Sequence, residues 1–389
     1  MIRVLFVNGG ILGLASFHHF LREYLPHQSA IEGRHIVLTE DLSLFDRAVR
    51  RALCQRVWID GAFGIRNLDL ARFRHELHAG LLARRRINAA GPEPFDVIHF
   101  HRQATAYASL DLMRRIPSVV SMDCTQECVE QGATSAIERA SYRPNVQLDG
   151  AVFRRATAVI ATSHWAAHSL RRMYPDCATP VHVMPNPVLL PYFDRGWIEA
   201  RQARAAAGAK PRFLFVGGDF PRKGGPDLLN AWQAGRFHEG AELELVTNWA
   251  VPVPLPPGVT VTRNIEAHSP AWRACWAAAD AFVMPTRNEA FGLVYQEAAA
   301  AGLPAIGTRH NAVPEIILDG ETGLLVRPGD QAALQAALAA LAGSAELRHR
   351  LGARAREIIE SVADPATYLG GLTTILTDAA AGRPTRGHP

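Results

Sequence analysis

The chain has 389 residues, 48% of them hydrophobic, and its 41 Lys and Arg against 37 Asp and Glu give a formal net charge of +4. This suits two domains that each bury a core of their own. It excludes a membrane-spanning chain, because no stretch is apolar and long enough. It also excludes a nucleic-acid binder, because the charge excess is diffuse and no aromatic–basic groove pattern accompanies it.

The apolar opening from Ile2 to Val7 runs straight into Asn8, Gly9 and Gly10. It reads as a buried first strand and its turn. A signal peptide would need a longer apolar region and a small-residue cleavage site, so the expected location is cytoplasmic. The turn continues to Gly13 and precedes an amphipathic helix over 17–25. On the residues alone it is a tight turn, without the glycine spacing of a nicotinamide site.

Further strands are predicted at His35–Leu38, Val97–Phe100, Ser118–Met122, Ala158–Ala161 and Val181–Met184. A second series covers Phe213–Val216, Leu243–Val246, Val259–Thr262, Ala281–Met284, Ala305–Ile306 and Leu324–Val326. Short apolar runs alternating with amphipathic stretches mark parallel sheets covered by helices. Two such series predict an α/β protein of two doubly wound, Rossmann-like domains. The boundary falls at 187/188, ahead of an Ala/Arg-rich helical stretch. The second domain runs to 362.

Residues 1–187 hold 22 Arg and no Lys against 17 Asp and Glu. Such an excess favours phosphate-rich ligands or an anionic membrane surface. The stretch Arg72–Arg86 fits two readings. One is a helix with a face in the core; the other is a basic amphipathic helix in peripheral contact with the inner face of a membrane. Five cysteines, Cys54, Cys124, Cys128, Cys177 and Cys275, fit neither zinc spacing nor a CxxC pair, and read as reduced buried thiols.

His99 and His101 end a strand and alternate onto one side of it. Asp123 follows the next strand. It is open to two readings, a cleft residue or a turn and N-cap residue. The segment Phe215-Val-Gly-Gly-Asp-Phe-Pro-Arg-Lys-Gly-Gly225 lies between a strand and a helix, and offers Arg222 and Lys223 to a diphosphate. Only Lys210 and Lys223 are Lys in this Arg-rich chain. In Pro285–Pro304 a strand is followed by a loop carrying Glu289. A helix from about Phe291 then carries Glu297 about two turns in. Both carboxylates face the strand ends, where ligands of open α/β sheets bind, and suit vicinal hydroxyls. On the residues alone a cap and a solvated face explain them equally well.

The spacing Glu289-x7-Glu297 resembles the motif of the retaining GT-B glycosyltransferases of group 1, family 4. The resemblance extends through Asn311-Ala-Val-Pro-Glu315 to Asp330. Upstream it takes in Ala158–Ser163 and Val183–Pro187. It covers about 150–330 strongly and the first 150 residues more weakly. It implies a GT-B fold with the two domains facing across a cleft, an acceptor domain first and a nucleotide-sugar domain second. A last helix near 365–380 would return to the first domain. It implies glycosyl transfer from a nucleoside-diphosphate sugar with retention, to a glycan, lipid-linked or small-molecule acceptor. No cofactor or metal is implied, in keeping with the lack of an Asp-x-Asp motif.

By the same resemblance, Glu297 holds the ribose and Glu289 approaches the donor sugar. Phe291, Gly292 and Leu293 offer backbone N–H groups. Lys223 and Arg222 bind the diphosphate, and Gly13 lets a helix N-terminus approach it. His101 and Asp123 lie on the acceptor side. Gly218 stands where the family's diphosphate loop has an arginine, with Arg222 as its substitute. That departure keeps a non-catalytic sugar-nucleotide-binding subunit open as an alternative. An epimerase or phosphorylase on the same fold is another.

Overall fold

The computed structural model describes residues 1–10, 13–27, 29–53, 70–91, 95–133 and 136–382. Cys54 lies outside them. The chain divides into two compact units. Met1–Asn186 with Pro365–Pro389 forms the first, and Pro187–Asp364 the second.

The first unit is built on a parallel sheet of β1 (Ile2–Asn8), β2 (Ile31–Val37), β3 (Val97–His101), β4 (Ser118–Met122), β5 (Ala158–Ala161) and β6 (Val181–Val183), in the order β2-β1-β3-β4-β5-β6. The second carries β7 (Arg212–Val216), β8 (Glu242–Val246), β9 (Val259–Thr262), β10 (Ala281–Val283), β11 (Ala305–Thr308) and β12 (Gly323–Val326), in the order β12-β11-β10-β7-β8-β9. Each run expected from the sequence is a strand. β3, β4 and β5 are buried at every residue. That is why they read as unbroken apolar runs rather than alternating ones: helices cover both faces of a parallel sheet.

Each sheet reverses its strand order once, between β1 and β3 in the first unit and between β7 and β10 in the second. At such a point the connections leave to opposite sides, and a crevice opens beyond the strands' carboxyl ends. The helix Pro365–Ala380 belongs to the first unit. It buries Leu369, Leu372 and Leu376. Tyr368 meets Phe17 and Phe20 edge-on, each with ring centroids 5.7 Å apart. The helix Ala71–Ala89 turns Leu82, Ala83 and Ile87 into the core and leaves Leu81 exposed. Among the described residues no helix is long and apolar enough to cross a membrane. Among the described residues Cys124, Cys128, Cys177 and Cys275 form no disulfide.

Behind the second sheet, arginines close helix ends. Arg201 is buried and donates to three carbonyls: Ala279 at 2.6 Å, Ala301 at 2.7 Å and Trp276 at 3.0 Å. Arg348 donates to Leu341 O at 2.6 Å, and Arg356 to Phe193 O at 2.9 Å. Helix C-termini leave carbonyls without intrahelical partners, and a guanidinium fork can satisfy several at once.

The first unit buries several uncharged imidazoles around Phe6 and Phe17. Burial lowers the pKa of His18 and His35 to about 4 and of His99 to about 3. These folded values lie below the unfolded one, so the stability they contribute is present above about pH 6.5 and is lost as pH falls. Asp149 works the other way. Burial, then Glu76, raises it to about 7, so its contribution is lost as pH rises through 7. Three groups outweigh one, each worth up to about 1.4 kcal/mol per pH unit. The expected result is a melting temperature that falls between pH 6.5 and 4. A flat profile over that range would show that the imidazoles are not held neutral.

Candidate active site

The sequence separates Arg222 and Lys223 from Glu289 by more than sixty residues, but the topology makes them neighbours. One loop leaves β7 and the other leaves β10, on either side of the strand-order reversal. The pairing of Phe282 with Leu214 sets β10 beside β7. The loops are then joined by hydrogen bonds. Arg287 N donates to Arg222 O at 2.9 Å, Thr286 Oγ1 to the same carbonyl at 3.2 Å, and Arg222 Nη1 to Asn288 O at 2.6 Å. Arg287 also grips Asp227 with two bonds of 2.7 Å, which ties the β10 loop to the helix Gly225–Ala234.

At the centre is an ion pair between Lys223 Nζ and Glu289 Oε2, with side-chain exposures of 15% and 12%. Arg222 Nη1 lies 3.6 Å from the same oxygen. Burial pushes the Glu289 pKa up, but Lys223 and then Arg222 reverse that and hold it below the usual carboxylate value. An extended turn would send the two cations in different directions. Here they converge, because the loop is wound into a turn: Lys223 N donates to Asp219 O at 2.9 Å and Gly225 N to Phe220 O at 2.8 Å. Gly224, at φ +76°, permits this winding. A Cβ there would sit 1.9 Å from Pro285 O, so the close approach of the two loops requires glycine.

The helix after β10 begins at Leu293, not near Phe291, with Gly292 as its N-cap at φ +89°. Glu297 is therefore just over one turn inside the helix, not two. Phe291 is buried and Gly292 leads the first helical N–H groups, which lack intrahelical acceptors. Burial raises the Glu297 pKa to about 8, against a smaller opposing effect of Lys223. The two carboxylates thus differ: Glu289 is ionised by its partners, and Glu297 holds its proton to higher pH.

Sequence reasoning passed over two residues here. Asn311 Nδ2 donates to Glu289 O at 3.0 Å. Burial lowers the His310 pKa, against a smaller opposing effect of Glu289, and its Nε2 has no hydrogen-bond partner among the described residues. Both follow β11. The signal was their place just beyond a strand's carboxyl end, one strand from β10.

Gly13, His101 and Asp123 belong to the first unit. The first helix there starts at Gly13; Ile11 and Leu12 lie outside the described residues. His99 and His101 do share a side of β3, with rings 6.0 Å apart. His101 is buried, and burial followed by His99 holds its pKa far below 6.5. Its Nδ1 lies 3.1 Å from Asn8 Nδ2, and Asn8 Oδ1 accepts from Gly10 N at 2.7 Å. His101 thus anchors the turn after β1. Asp123 is half-buried beyond β4. It does not cap the next helix, Glu127–Glu130, whose N-cap is Gln126.

Comparison with known proteins bears on the family and the fold. A family model described as glycosyltransferase family 4 matches residues 35–190, and one described as glycosyl transferases group 1 matches residues 210–344. The chain belongs to the group 1, family 4 glycosyltransferases. It is 34% identical over 165 residues to a D-inositol 3-phosphate glycosyltransferase of Corynebacterium glutamicum, covering 42% of this chain and 36% of that protein. It spans less than two thirds of the other curated relatives it first matches. A sucrose-phosphate synthase structure from Thermosynechococcus elongatus superposes with a TM-score of 0.75 at 17% identity, over 98% of this chain and all of that one. The Anabaena protein HepE, solved with UDP-glucose, does so at 0.67 and 16%, over 97% and 100%. These likenesses establish the fold of two Rossmann-like units.

Proposed function

We propose that this chain is a glycosyltransferase that moves a sugar from a nucleoside-diphosphate sugar to an acceptor, with retention and without a metal ion. The observation that carries the reading is the convergence of Lys223, Arg222 and Glu289 at the β7/β10 reversal, with Glu297 one turn into the adjoining helix. In this reading the diphosphate takes the cations and the N–H groups around Gly292 and Leu293, Glu297 accepts from the ribose, and Glu289 faces the sugar. Departure of the diphosphate gathers negative charge, which preorganised donors stabilise. Gly13, His101 and Asp123 serve the donor phosphates and the acceptor from the first unit. The cytoplasmic location and the peripheral membrane contact of the Arg72–Arg86 helix also belong to this proposal.

Incubation with UDP-, GDP-, ADP- and TDP-sugars in EDTA tests it. Slow release of nucleotide without acceptor supports a metal-independent transferase. Activity that appears only on adding manganese rejects the mechanism.

Glu297→Ala is expected to weaken nucleotide-sugar binding by about tenfold or more, since a ribose hydroxyl left without its buried partner costs about 1–3 kcal/mol. Calorimetry with the free nucleoside diphosphate checks it, and an unchanged affinity would remove Glu297 from the ribose.

The non-catalytic alternative rests on Gly218. Nothing lies within 4 Å of a Cβ built there, and its φ lies outside the left-handed region, so a side chain can begin there without strain. Gly218→Arg is expected to leave the melting temperature unchanged and to tighten diphosphate binding by about tenfold. Binding without turnover in the native chain, together with turnover gained by this variant, would favour the alternative.

A further inference from the structure

We infer that a recess at the amino ends of β10 and β11 is a binding site for a small organic phosphate, held by Arg348 with the buried Arg201 beside it.

The recess lies wholly within the second unit, between the helices Gly196–Ala206 and Ala345–Val362. It is open to solvent and offers about 330 Å³ of free space. Arg201, Gln202, Asp280, Glu346, Arg348 and His349 form its polar wall. Ile198 and Ala205 belong to its apolar lining. Asp280 and Gly302, also on the wall, precede β10 and β11, whereas Lys223 and Glu289 follow β7 and β10. The recess and the donor groups therefore lie at opposite ends of the strands.

Positive charge outweighs negative here. Arg201 and Arg348 are 8% and 9% exposed, and neither has an ion-pair partner among the described residues. The carbonyls that accept from them satisfy N–H groups without cancelling a full charge. Asp280 is already taken: Oδ1 accepts from Arg204 at 2.8 Å and Oδ2 from Arg212 N at 2.9 Å. Glu346 is exposed at the rim, where water screens it. With Arg204 counted, three guanidiniums share one buried carboxylate, which leaves them two charges short. Burial lowers the Arg348 pKa, with Asp280 opposing, as expected of a cation short of counter-charge. A phosphomonoester carries close to two negative charges at neutral pH.

Free donors stand ready for it. Arg348 spends Nη1 on Leu341 O at 2.6 Å and Ala342 O at 3.2 Å. Its Nε and Nη2 have no hydrogen-bond partner among the described residues, and they are not sealed from solvent. The helix Ala345–Val362 begins on the same wall. Ser344 accepts from Leu347 N at 3.0 Å and from Arg348 N at 3.2 Å. That leaves the N–H groups of Ala345 and Glu346, both lining the recess, without intrahelical acceptors. A guanidinium with free N–H groups beside a helix N-terminus suits a phosphate group. Ile198 and Ala205 offer apolar surface to the carbon chain that the phosphate carries.

The test is calorimetric titration of the full chain with glycerol 3-phosphate, glycerol, succinate and inorganic phosphate. Glycerol 3-phosphate should bind and glycerol should not. Gln202→Glu puts a carboxylate on the recess wall at an exposed position, where the Gln202 side chain makes no hydrogen bond. It should weaken glycerol 3-phosphate by at least about tenfold without lowering the melting temperature. Arg348→Gln should weaken it by about the same factor. Ala200→Glu lies on the same helix but outside the recess, and Lys223→Ala lies at the donor groups. Both should bind glycerol 3-phosphate as the native chain does. Equal responses to glycerol and glycerol 3-phosphate, or an unchanged affinity in Gln202→Glu, overturns the proposal. So does a tenfold loss in Lys223→Ala, which would put the ester on the donor cations. Succinate binding as tightly as glycerol 3-phosphate overturns the assignment to phosphate. Inorganic phosphate binding as tightly overturns the organic ester in favour of free phosphate.

Discussion

Lys223→Ala is expected to lower turnover about 100-fold, or about 2.7 kcal/mol, while weakening nucleoside diphosphate binding much less. The reason is that Lys223 has two tasks at one point. It is paired with Glu289 in the free protein, and in the proposed reaction it meets a diphosphate whose charge grows as it departs. Arg222 is poorly placed to take over. Its guanidinium is already shared with Asp219 at 3.1 Å and Asn288 O at 2.6 Å, and it is more exposed than Lys223. Arg222→Ala should therefore cost less.

The lysine variant should also lose stability, because a half-buried carboxylate is left with its weaker partner. The double variant Lys223→Ala/Glu289→Gln separates the two effects. It should regain the melting temperature, which assigns that loss to the broken ion pair, whereas turnover, which needs Glu289 as well, should stay low. If Arg222→Ala proves the more damaging single change, the roles of the two cations are reversed. If neither affects turnover, the β7 loop does not serve a diphosphate.

Arg201→Met should destabilise the second unit by about 3–5 kcal/mol. Three buried carbonyls lose their donor, and each unsatisfied acceptor costs about 1–3 kcal/mol, partly offset by removing a buried charge. That charge is itself strained: burial pushes the Arg201 pKa down to about 10, with Asp280 opposing the shift. For a unit of this size the melting temperature should fall by roughly 6–20 °C. Arg201→Lys should recover little, because a compact ammonium cannot reach three carbonyls set around a planar fork. A loss below about 1 kcal/mol would mean that water replaces the guanidinium at these helix ends. Donor affinity per folded molecule should hold, since Arg201 lies behind the sheet, away from the carboxyl ends that carry Glu289 and Lys223.

The strands were legible in the sequence because buried parallel strands declare themselves as short apolar runs. The run Val97–Phe100 needs no neighbour to be recognised. The Glu289-x7-Glu297 spacing was legible too, since a loop and its following helix are one local stretch of chain. Boundaries were less so. The helix start moved from Phe291 to Leu293 because Gly292 adopts a left-handed cap, a conformation its neighbours Tyr295 and Glu289 make obligatory for glycine.

What local reasoning could not reach was the pairing of distant segments. The sequence by itself determined the two sheets, the family and the candidate carboxylates and cations. Only the tertiary structure decided that Lys223 and Arg222 converge on Glu289, because that depends on β10 lying beside β7, and strand order is not written in either loop. The same holds at the other end of these strands. Arg201, Asp280 and Arg348 are spread over three segments, and their shared recess exists only once the helices Gly196–Ala206 and Ala345–Val362 lie side by side. Charge signs and hydrophobic runs are properties of residues and their neighbours in sequence. Unbalanced charge at a site is a property of the distances between elements, and those are set by how each sheet packs.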